Sequence, residues 1–330
     1  MSFPHRLMRP SLLDQFPHLR ALVVGDAMVD RYLIGTARRL CPEGPVPVVA
    51  VDEVSTAAGG AANTAVNVAQ LGATVSLLSV VGLDADSEAL QQQLIQYGVE
   101  TSLMLLDPDR TTLTKQRVIA NGQLVVRFDQ GSTAPLSGRS EDKLIALIQQ
   151  QVGQTVDAVI VSDYGYGICA LKLIEAIAQR SRVVVVDSKR LAHYQGLRPA
   201  AVKPNYAEAI ALLNLPAETN RVAQMRSQQD ALLAATGAKL VVVTLDCDGA
   251  IAIEAGQPPH HIPARSAPDG YAIGAGDTFV SVLALALAAG ATGAEAAAIA
   301  SAATAVVVQS PGTTACRLAD LQHAFSVPQP

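Results

Sequence analysis

Continuous apolar runs and helically spaced apolar positions alternate along most of this chain. "ALVVGD", Ala21 to Asp26, is an unbroken apolar run closing on Gly25-Asp26, the pattern of a buried strand. "VPVVAVDEV" and "VSLLSVVG" predict further strands. Between them, in "GGAANTAVNVAQLGA", Ala65, Val66, Ala69 and Leu71 line one side of a predicted helix that Gly72 stops. "DSEALQQQLIQYGV" predicts a second helix, with Asp86 or Ser87 near its start. The alternation continues with helices in "SEDKLIALIQQQV" (Ser140 as cap), "ALKLIEAIAQR" and "NYAEAIALLNL". Strands are predicted in "DAVIVSDYG" and "VVVVDSK", and a strand, turn and strand in "KLVVVTLDCDGAIAI". Ala-rich helices close the chain.

One segment breaks this rhythm. Two alternating runs, Thr112 to Ala120 and Gln123 to Asp129, flank Asn121-Gly122, a strong hairpin signal. Strands alternating with helices imply an α/β fold with a parallel, helix-flanked sheet. The hairpin and "VPVVAVDEV" are expected to form a separate small sheet beside it. Residues 1–18 and the tail "SVPQP" read as loose ends.

Composition narrows the function. A chain of 330 residues, half of them hydrophobic, is long enough for one large domain over 1–330. A net charge of -5 gives no electrostatic case for nucleic acid. Cys41, Cys169, Cys247 and Cys316 lie far apart, without metal-like spacing, which reads as reduced thiols in a cytoplasmic protein. The N-terminal "MSFPHRLMRPSLLDQFPHLR" has no apolar core of a secretory signal. Gly290, Gly293 and Glu295 divide Phe279 to Val308 into pieces too short for a bilayer, so no membrane contact is expected.

Ligands of open α/β sheets sit at the carboxyl ends of strands, and five places there could carry chemistry. In "GAGD", Gly274-Ala275-Gly276-Asp277, glycines let a phosphate approach the amides of a helix start, and Asp277 could accept a proton from an attacking hydroxyl. A Gly-rich turn with Asp277 as helix cap fits the four letters equally well. Gly59, Gly60 and Asn63 could bring amides to a polar ligand, or make only a flexible turn. Asp26 and Asp30 could accept bonds from sugar hydroxyls, or be solvated loop acids. Asn205 and Glu208 in "KPNYAE" make a capping box, and could alternatively hold nucleotide phosphate and hydrated Mg²⁺. Lys115 and Arg117 share one strand face of the hairpin, with Arg127 on the second strand: a site for a phosphorylated substrate, or solubilising surface charge. Signatures of P-loop nucleotidases, serine hydrolases, zinc proteases and dinucleotide-binding turns are missing from the sequence.

Taken in order, these segments resemble the PfkB (ribokinase-like) family of carbohydrate kinases, from about Ala21 to the C-terminus. "AGGAANTA" with Gly72 and Gly82 matches the first family signature, Asn205 and Glu208 the Asn-x-x-Glu motif, and GAGD the heart of the second signature. Within the family the chain looks most like heptose 7-phosphate kinases, on "GDAMVDRYLIGTARRLCPEGPVPVV", "AGGAANTAVNVAQLGA", "TKQRVIANGQLVVRFD", "VSDYGYG" and "VVDSK". These residues show no nucleotidyltransferase motif, so the resemblance implies the kinase reaction alone.

The resemblance implies a ribokinase-like doubly wound sheet with a lid of inserted strands at about 31–57 and 101–129. ATP and Mg²⁺ would be cofactors, and the lid would pair two subunits. Asp277 would be the base, and the amides of Gly274, Ala275 and Gly276 an anion hole. Asp30, Gly59, Gly60 and Asn63 would hold the sugar; Lys115, Arg117 and Arg127 would hold its phosphate. Asn205, Tyr206, Ala207, Glu208, Thr244 and Gly249 would lie along ATP, with Glu208 reaching Mg²⁺ through water. The family's Asp-x-Thr before GAGD, which helps bind a monovalent cation, is here Tyr271 and Ile273. The K⁺ site that the resemblance implies therefore lacks its usual side-chain oxygens. Tyr166 stands where heptose kinases tend to carry Lys, and Ser188 where Pro is usual. A kinase for another sugar or a nucleoside, and a sugar- or nucleotide-binding protein without turnover, are the rival readings.

Overall fold

The computed structural model of the chain describes residues 10–151, 156–179, 181–264, 273–310 and 312–326. In chain order, β1 (Arg20–Gly25) runs into β2 (Ala27–Leu40) and β3 (Pro47–Gly60), followed by α1 (Ala61–Gln70), β4 (Thr74–Gly82), α2 (Ala85–Gln96) and β5 (Met104–Asp107). The hairpin β6 (Thr114–Ala120) and β7 (Gln123–Gln130) precedes α3 (Gly138–Gln151), β8 (Ala158–Asp163), α4 (Leu171–Ala178), β9 (Val183–Ser188) and the short β10 (Ala201–Val202). Then come α5 (Tyr206–Leu212), α6 (Arg221–Ser227), α7 (Gln229–Thr236), β11 (Leu240–Thr244), β12 (Ala250–Glu254) and β13 (His260–Ile262). The closing helices are α8 (Ala275–Ala288), α9 (Gly293–Val307) and α10 (Leu318–Ser326).

The large sheet has the order β13-β12-β11-β10-β9-β8-β1-β4-β5. It is parallel from β5 to β11, with β12 and β13 antiparallel at one edge. Its strands are apolar on both faces because helices cover both. Along β1, Val23 joins the core under α1, α8 and α9, while Leu22 and Val24 join the core under α3 and α4. Successive side chains alternate between faces, so one apolar run feeds both cores. β1 is flanked by β4 on one side and β8 on the other, which places the switch in strand order beside the carboxyl end of β1.

The small sheet, β3-β2-β6-β7, stands apart. It pairs β2 with β3 antiparallel, β2 with β6 parallel and β6 with β7 antiparallel. The hairpin turn is at Asn121 and Gly122, both at positive φ (52° and 79°), as the two-residue turn requires. Met104–Asp107, within the second expected lid segment, pairs instead with β4 in the large sheet. The pattern did not announce β2, which starts at Ala27, in a stretch offered as a loop after the first strand, and runs into the first expected lid segment.

Three local expectations are corrected. Residues 10–18 are not loose: a 3-10 helix buries Leu12, Leu13 and Phe16 in the core. The cap of α2 is Asp84, in a capping box with Ser87, rather than Asp86. Ser137 Oγ accepts the Ser140 N–H at the start of α3, so Ser140 is not the cap. Residues 1–9 and the tail 327–330 lie outside the described residues. All four cysteines are free thiols, and no described helix is long and apolar enough to cross a membrane.

Asp26 joins the two strands at the switch point. Its fully buried carboxylate accepts the backbone N–H groups of Tyr164, Tyr166 and Ile168 after β8, and its carbonyl accepts the N–H of Ala61 at the start of α1. Burial raises the Asp26 pKa, the three backbone bonds oppose that, and Asp163 adds to it. It is thus a buried structural acid, not a solvated one. Asp26→Ala would strand three buried N–H groups, at about 1–3 kcal/mol each. We expect urea unfolding to show a loss of at least about 3 kcal/mol; a loss under about 1 kcal/mol would contradict this role.

Candidate active site

Gly274 caps α8 in the left-handed region (φ 80°), and a Cβ there would lie 2.8 Å from Asn63 Nδ2. A glycine is needed at this position for both reasons. The Thr278 N–H bonds the Gly274 carbonyl at 3.0 Å, so the amides before it have no intrahelical acceptor and mark the positive end of a 14-residue helix. Asp277 lies in this first turn and is 5% exposed. It is not the helix cap.

The Asp277 carboxylate is held from two other parts of the chain. Oδ2 accepts Asn63 Nδ2 at 2.8 Å; Oδ1 accepts the Tyr164 hydroxyl at 2.8 Å and the Thr64 hydroxyl at 3.4 Å. Burial raises the Asp277 pKa, while Asn63, Tyr164 and Lys203 pull against it. Burial also pushes the Tyr164 phenol well above its ordinary value, with Asp277 adding to it, so Tyr164 stays a donor. Behind Asn63, Asn67 Nδ2 donates to its carbonyl and side-chain oxygens, and Thr278 Oγ1 donates to Asn67 Oδ1 at 2.8 Å. A polar seam thereby locks α1 to α8. A buried carboxylate of raised proton affinity beside helix amides without an intrahelical acceptor can take a proton from a hydroxyl and stabilise an anion next to it.

Gly59 and Gly60 end β3 against this seam. A Cβ on Gly59 would lie 2.9 Å from Asp30 Oδ2; Gly60 has φ 56°, and its Cβ would lie 2.5 Å from the Asp26 carbonyl oxygen. Asp30 is buried on β2, accepts Arg117 Nη1 at 2.6 Å on Oδ1 and the Thr313 hydroxyl at 3.2 Å on Oδ2. Asn63 donates its amide to Asp277, so it orients that carboxylate.

The cationic hairpin face looks different from the expectation. Arg117 is buried and paired with Asp30, and Arg127, half-exposed, is paired with Asp129 at 3.0 Å. Neither guanidinium is free of an acid. Lys115 alone of the three has no carboxylate within ion-pair distance among the described residues; its ammonium lies 4.7 Å from the Tyr164 ring centre and 5.5 Å from that of Tyr166. A cavity of about 90 Å³ opens there, lined by Lys115, Tyr166, Met28 and Thr133. Another of about 170 Å³ is lined by Asn63, Thr313 and Arg317.

At the start of α5, Asn205 and Glu208 form the capping box: Asn205 Oδ1 accepts the Glu208 N–H at 2.8 Å and Glu208 Oε2 accepts the Asn205 N–H at 2.9 Å. Tyr206 is buried, and its hydroxyl meets Gln224 and the backbone of Glu218. Ala207 is exposed. Thr244 ends β11 and donates its N–H to the Pro204 carbonyl at 3.0 Å, while Gly249 (φ 88°) makes the turn into β12. Tyr271 lies outside the described residues; Ile273 is half-buried and carries no side-chain oxygen.

Three site residues, Thr64, Tyr164 and Thr313, went unassigned in the sequence; Thr64 directly follows Asn63. Tyr164 directly follows β8, and its place at the end of a central strand was the available signal. Thr313 had none, since only the fold returns the C-terminal segment to Asp30 and Tyr32. Ser188 is buried and donates to Asp163 Oδ2 at 2.7 Å, joining Arg190 and Tyr194 around that acid.

The model of the pfkB family carbohydrate kinases matches residues 19–320. The bifunctional protein HldE of Desulfatibacillum aliphaticivorans is 35% identical over 93% of this chain and 63% of its own length. That of Klebsiella pneumoniae is 34% identical over 94% of this chain and 64% of its own length. The chain thus spans less than two thirds of the length of these relatives. Among solved structures, phosphofructokinase-2 from Escherichia coli in complex with potassium is similar at a TM-score of 0.76 and 22% identity, covering 93% of this chain and 98% of that one. Arabidopsis thaliana ribokinase complexed with ribose and ATP is similar at 0.72 and 20%, covering 94% and 99%. With a matching family model over nearly its whole length and a ribokinase-like fold, this chain belongs to the PfkB family of carbohydrate kinases.

Proposed function

We propose that this chain transfers the γ-phosphoryl group of ATP to the anomeric hydroxyl of D-glycero-D-manno-heptose 7-phosphate, giving the 1,7-bisphosphate. The observation that carries the transfer is Asp277, buried in the first turn of α8 and fixed by Asn63 and Tyr164. Asp277 accepts the hydroxyl proton, and the amides of Gly274, Ala275 and Gly276 face the transferring group. The heptose assignment is supported by the resemblance of the lid and strand-end segments to heptose kinases and by the HldE relatives.

In this reading Asp30, Gly59, Gly60 and Asn63 surround the sugar, and Lys115 is the cation for its phosphate. ATP lies along Asn205, Ala207, Glu208, Thr244 and Gly249. Glu208 keeps Oε1 clear of the capping box, which fits a hydrated Mg²⁺ held through water; the ion would supply charge neutralisation at the phosphates. The pairing of Arg117 with Asp30 and Arg127 with Asp129 favours a second reading, an acceptor sugar without a phosphate.

One assay separates these readings: ATP consumption across phosphorylated and free sugars, with and without K⁺, for wild type, Asp277→Asn and Lys115→Met. We expect heptose 7-phosphate to be the best acceptor. Asp277→Asn should lower kcat by about 10²-fold or more with ATP binding kept. Lys115→Met should raise KM for the phosphorylated sugar by about tenfold or more. Turnover of a free sugar alone, with Lys115→Met unaffected, would replace the substrate assignment; an active Asp277→Asn enzyme would remove the base assignment.

The small sheet also supports a homodimer in our reading. Every residue of β7 is exposed, and Val54, Leu124, Val126 and Phe128 present apolar surface there. Sedimentation should give a dimer that Leu124→Asp with Phe128→Asp converts to monomer; a wild-type monomer at micromolar concentration would refute this.

A further inference from the structure

The turn between β11 and β12 carries two carboxylates in the segment where ATP lies in our reading. It runs Leu245-Asp246-Cys247-Asp248-Gly249 and is closed by the Leu245 N–H on the Gly249 carbonyl at 2.7 Å. It stands beside the capping box of α5: Thr244 pairs in register with Asn205, and its N–H bonds the Pro204 carbonyl at 3.0 Å. The Asp246 side chain is 81% exposed and that of Asp248 40%, so both acids meet solvent and anything that arrives from it. Two such charges oppose an incoming polyphosphate, most strongly where little salt screens them.

One cation answers both acids. Arg221, the first residue of α6, donates Nη1 to Asp246 Oδ2 at 3.0 Å, Nε to Asp248 Oδ2 at 2.8 Å and Nη2 to Cys247 Sγ at 3.3 Å. Each donor of the guanidinium holds a different residue of the turn. The same group lies 5.6 Å from the centre of the Tyr206 ring, in the first turn of α5. A guanidinium presents its donors in a rigid fork, so this geometry fixes where both carboxylates point. With Arg221 in place the three charged groups sum to one negative charge; without it they sum to two.

We propose that Arg221 is a positioning residue for the nucleotide: it draws Asp246 and Asp248 onto its own guanidinium, halves the negative charge of the turn, and so makes an acidic turn acceptable to a polyphosphate. It acts on the nucleotide through the two acids. The inference rests on the placing of ATP along Asn205 to Gly249 and not on which sugar accepts.

The rival role for Arg221 is mechanical, as a brace that only shapes the turn, and charge tells the two apart. Binding of Mg²⁺ with the β,γ-imido analogue of ATP is measured by calorimetry at low and high ionic strength. The proteins are the wild type, Arg221→Met, Asp246→Asn with Asp248→Asn, and the triple variant; the KM for the acceptor is followed alongside. Arg221→Met should weaken the analogue by about fivefold at low ionic strength and by less than about twofold at high, with the acceptor KM within about twofold of wild type. The triple variant, free of all three charges, should return to within about twofold of wild type. The double variant, which keeps Arg221 and loses both acids, should bind the analogue at least as tightly as wild type; it decides the matter even if Arg221→Met fails to fold. A brace predicts the reverse, a weaker double variant and a triple variant that stays impaired. Either result, an effect of Arg221→Met that salt does not diminish, or no effect at low ionic strength would overturn the proposal. A wild-type protein that does not bind the analogue would overturn the placing of ATP, and this inference with it.

Discussion

A carboxylate kept out of water is the constraint around which this molecule is organised. Ionised, Asp277 loses hydration worth several kcal/mol, and each hydrogen bond to the charge returns roughly 1.5–3 kcal/mol. The donors come from far apart in the chain: Asn63 and Thr64 on α1, and Tyr164 after β8. The carboxylate is in place only when α1, α8 and the central strands are all packed. Site formation and tertiary folding are therefore one event, and a partly folded chain would hold Asp277 in an ordinary hydrated state.

The neighbouring residues follow from that requirement. Asp26 fixes the 164–168 backbone and thereby the Tyr164 hydroxyl. Gly60 and Gly274 permit close approaches that any side chain would block, the first to the Asp26 carbonyl and the second to Asn63. Asn67 and Thr278 tie the two helices behind the site. Lys203, paired with Asp187, places a compensated buried charge beside Gly276 in the first turn of α8. Asp30 is paired with Arg117 and Asp187 with Lys203, whereas Asp277 and Asp26 are held by neutral donors.

The longer strands of the large sheet were legible because they are continuous apolar runs, while β5, β10 and β13 are too short to leave a pattern; the hairpin was legible from Asn121-Gly122. β2 was missed because its burial is graded, full near Ala27 and lost toward Leu40, so no single period dominates. The leading 3-10 helix was missed because its prolines and charges hide a few anchoring side chains, Phe16 among them. In the site, GAGD, the paired glycines and the capping box could be found because each is a local motif. The state of the hairpin cations could not. That Arg117 is neutralised by Asp30 depends on the parallel pairing of β2 with β6, a contact 87 residues apart in sequence. Likewise Thr313 and Lys203 reach the site only through chain closure.

Asp277, the proposed base, has a proton affinity set by burial and moderated by Tyr164. The most direct measurement is the pH dependence of kcat at saturating substrates, for the wild type and Tyr164→Phe. Removing the phenol takes away a bond that favours the ionised carboxylate, so the pKa should rise further. The expected result is an acid limb above the ordinary aspartate value of about 3.9 in the wild type, moved to still higher pH in Tyr164→Phe. A limb at or below about 3.9, or one that Tyr164→Phe leaves unmoved, would contradict it.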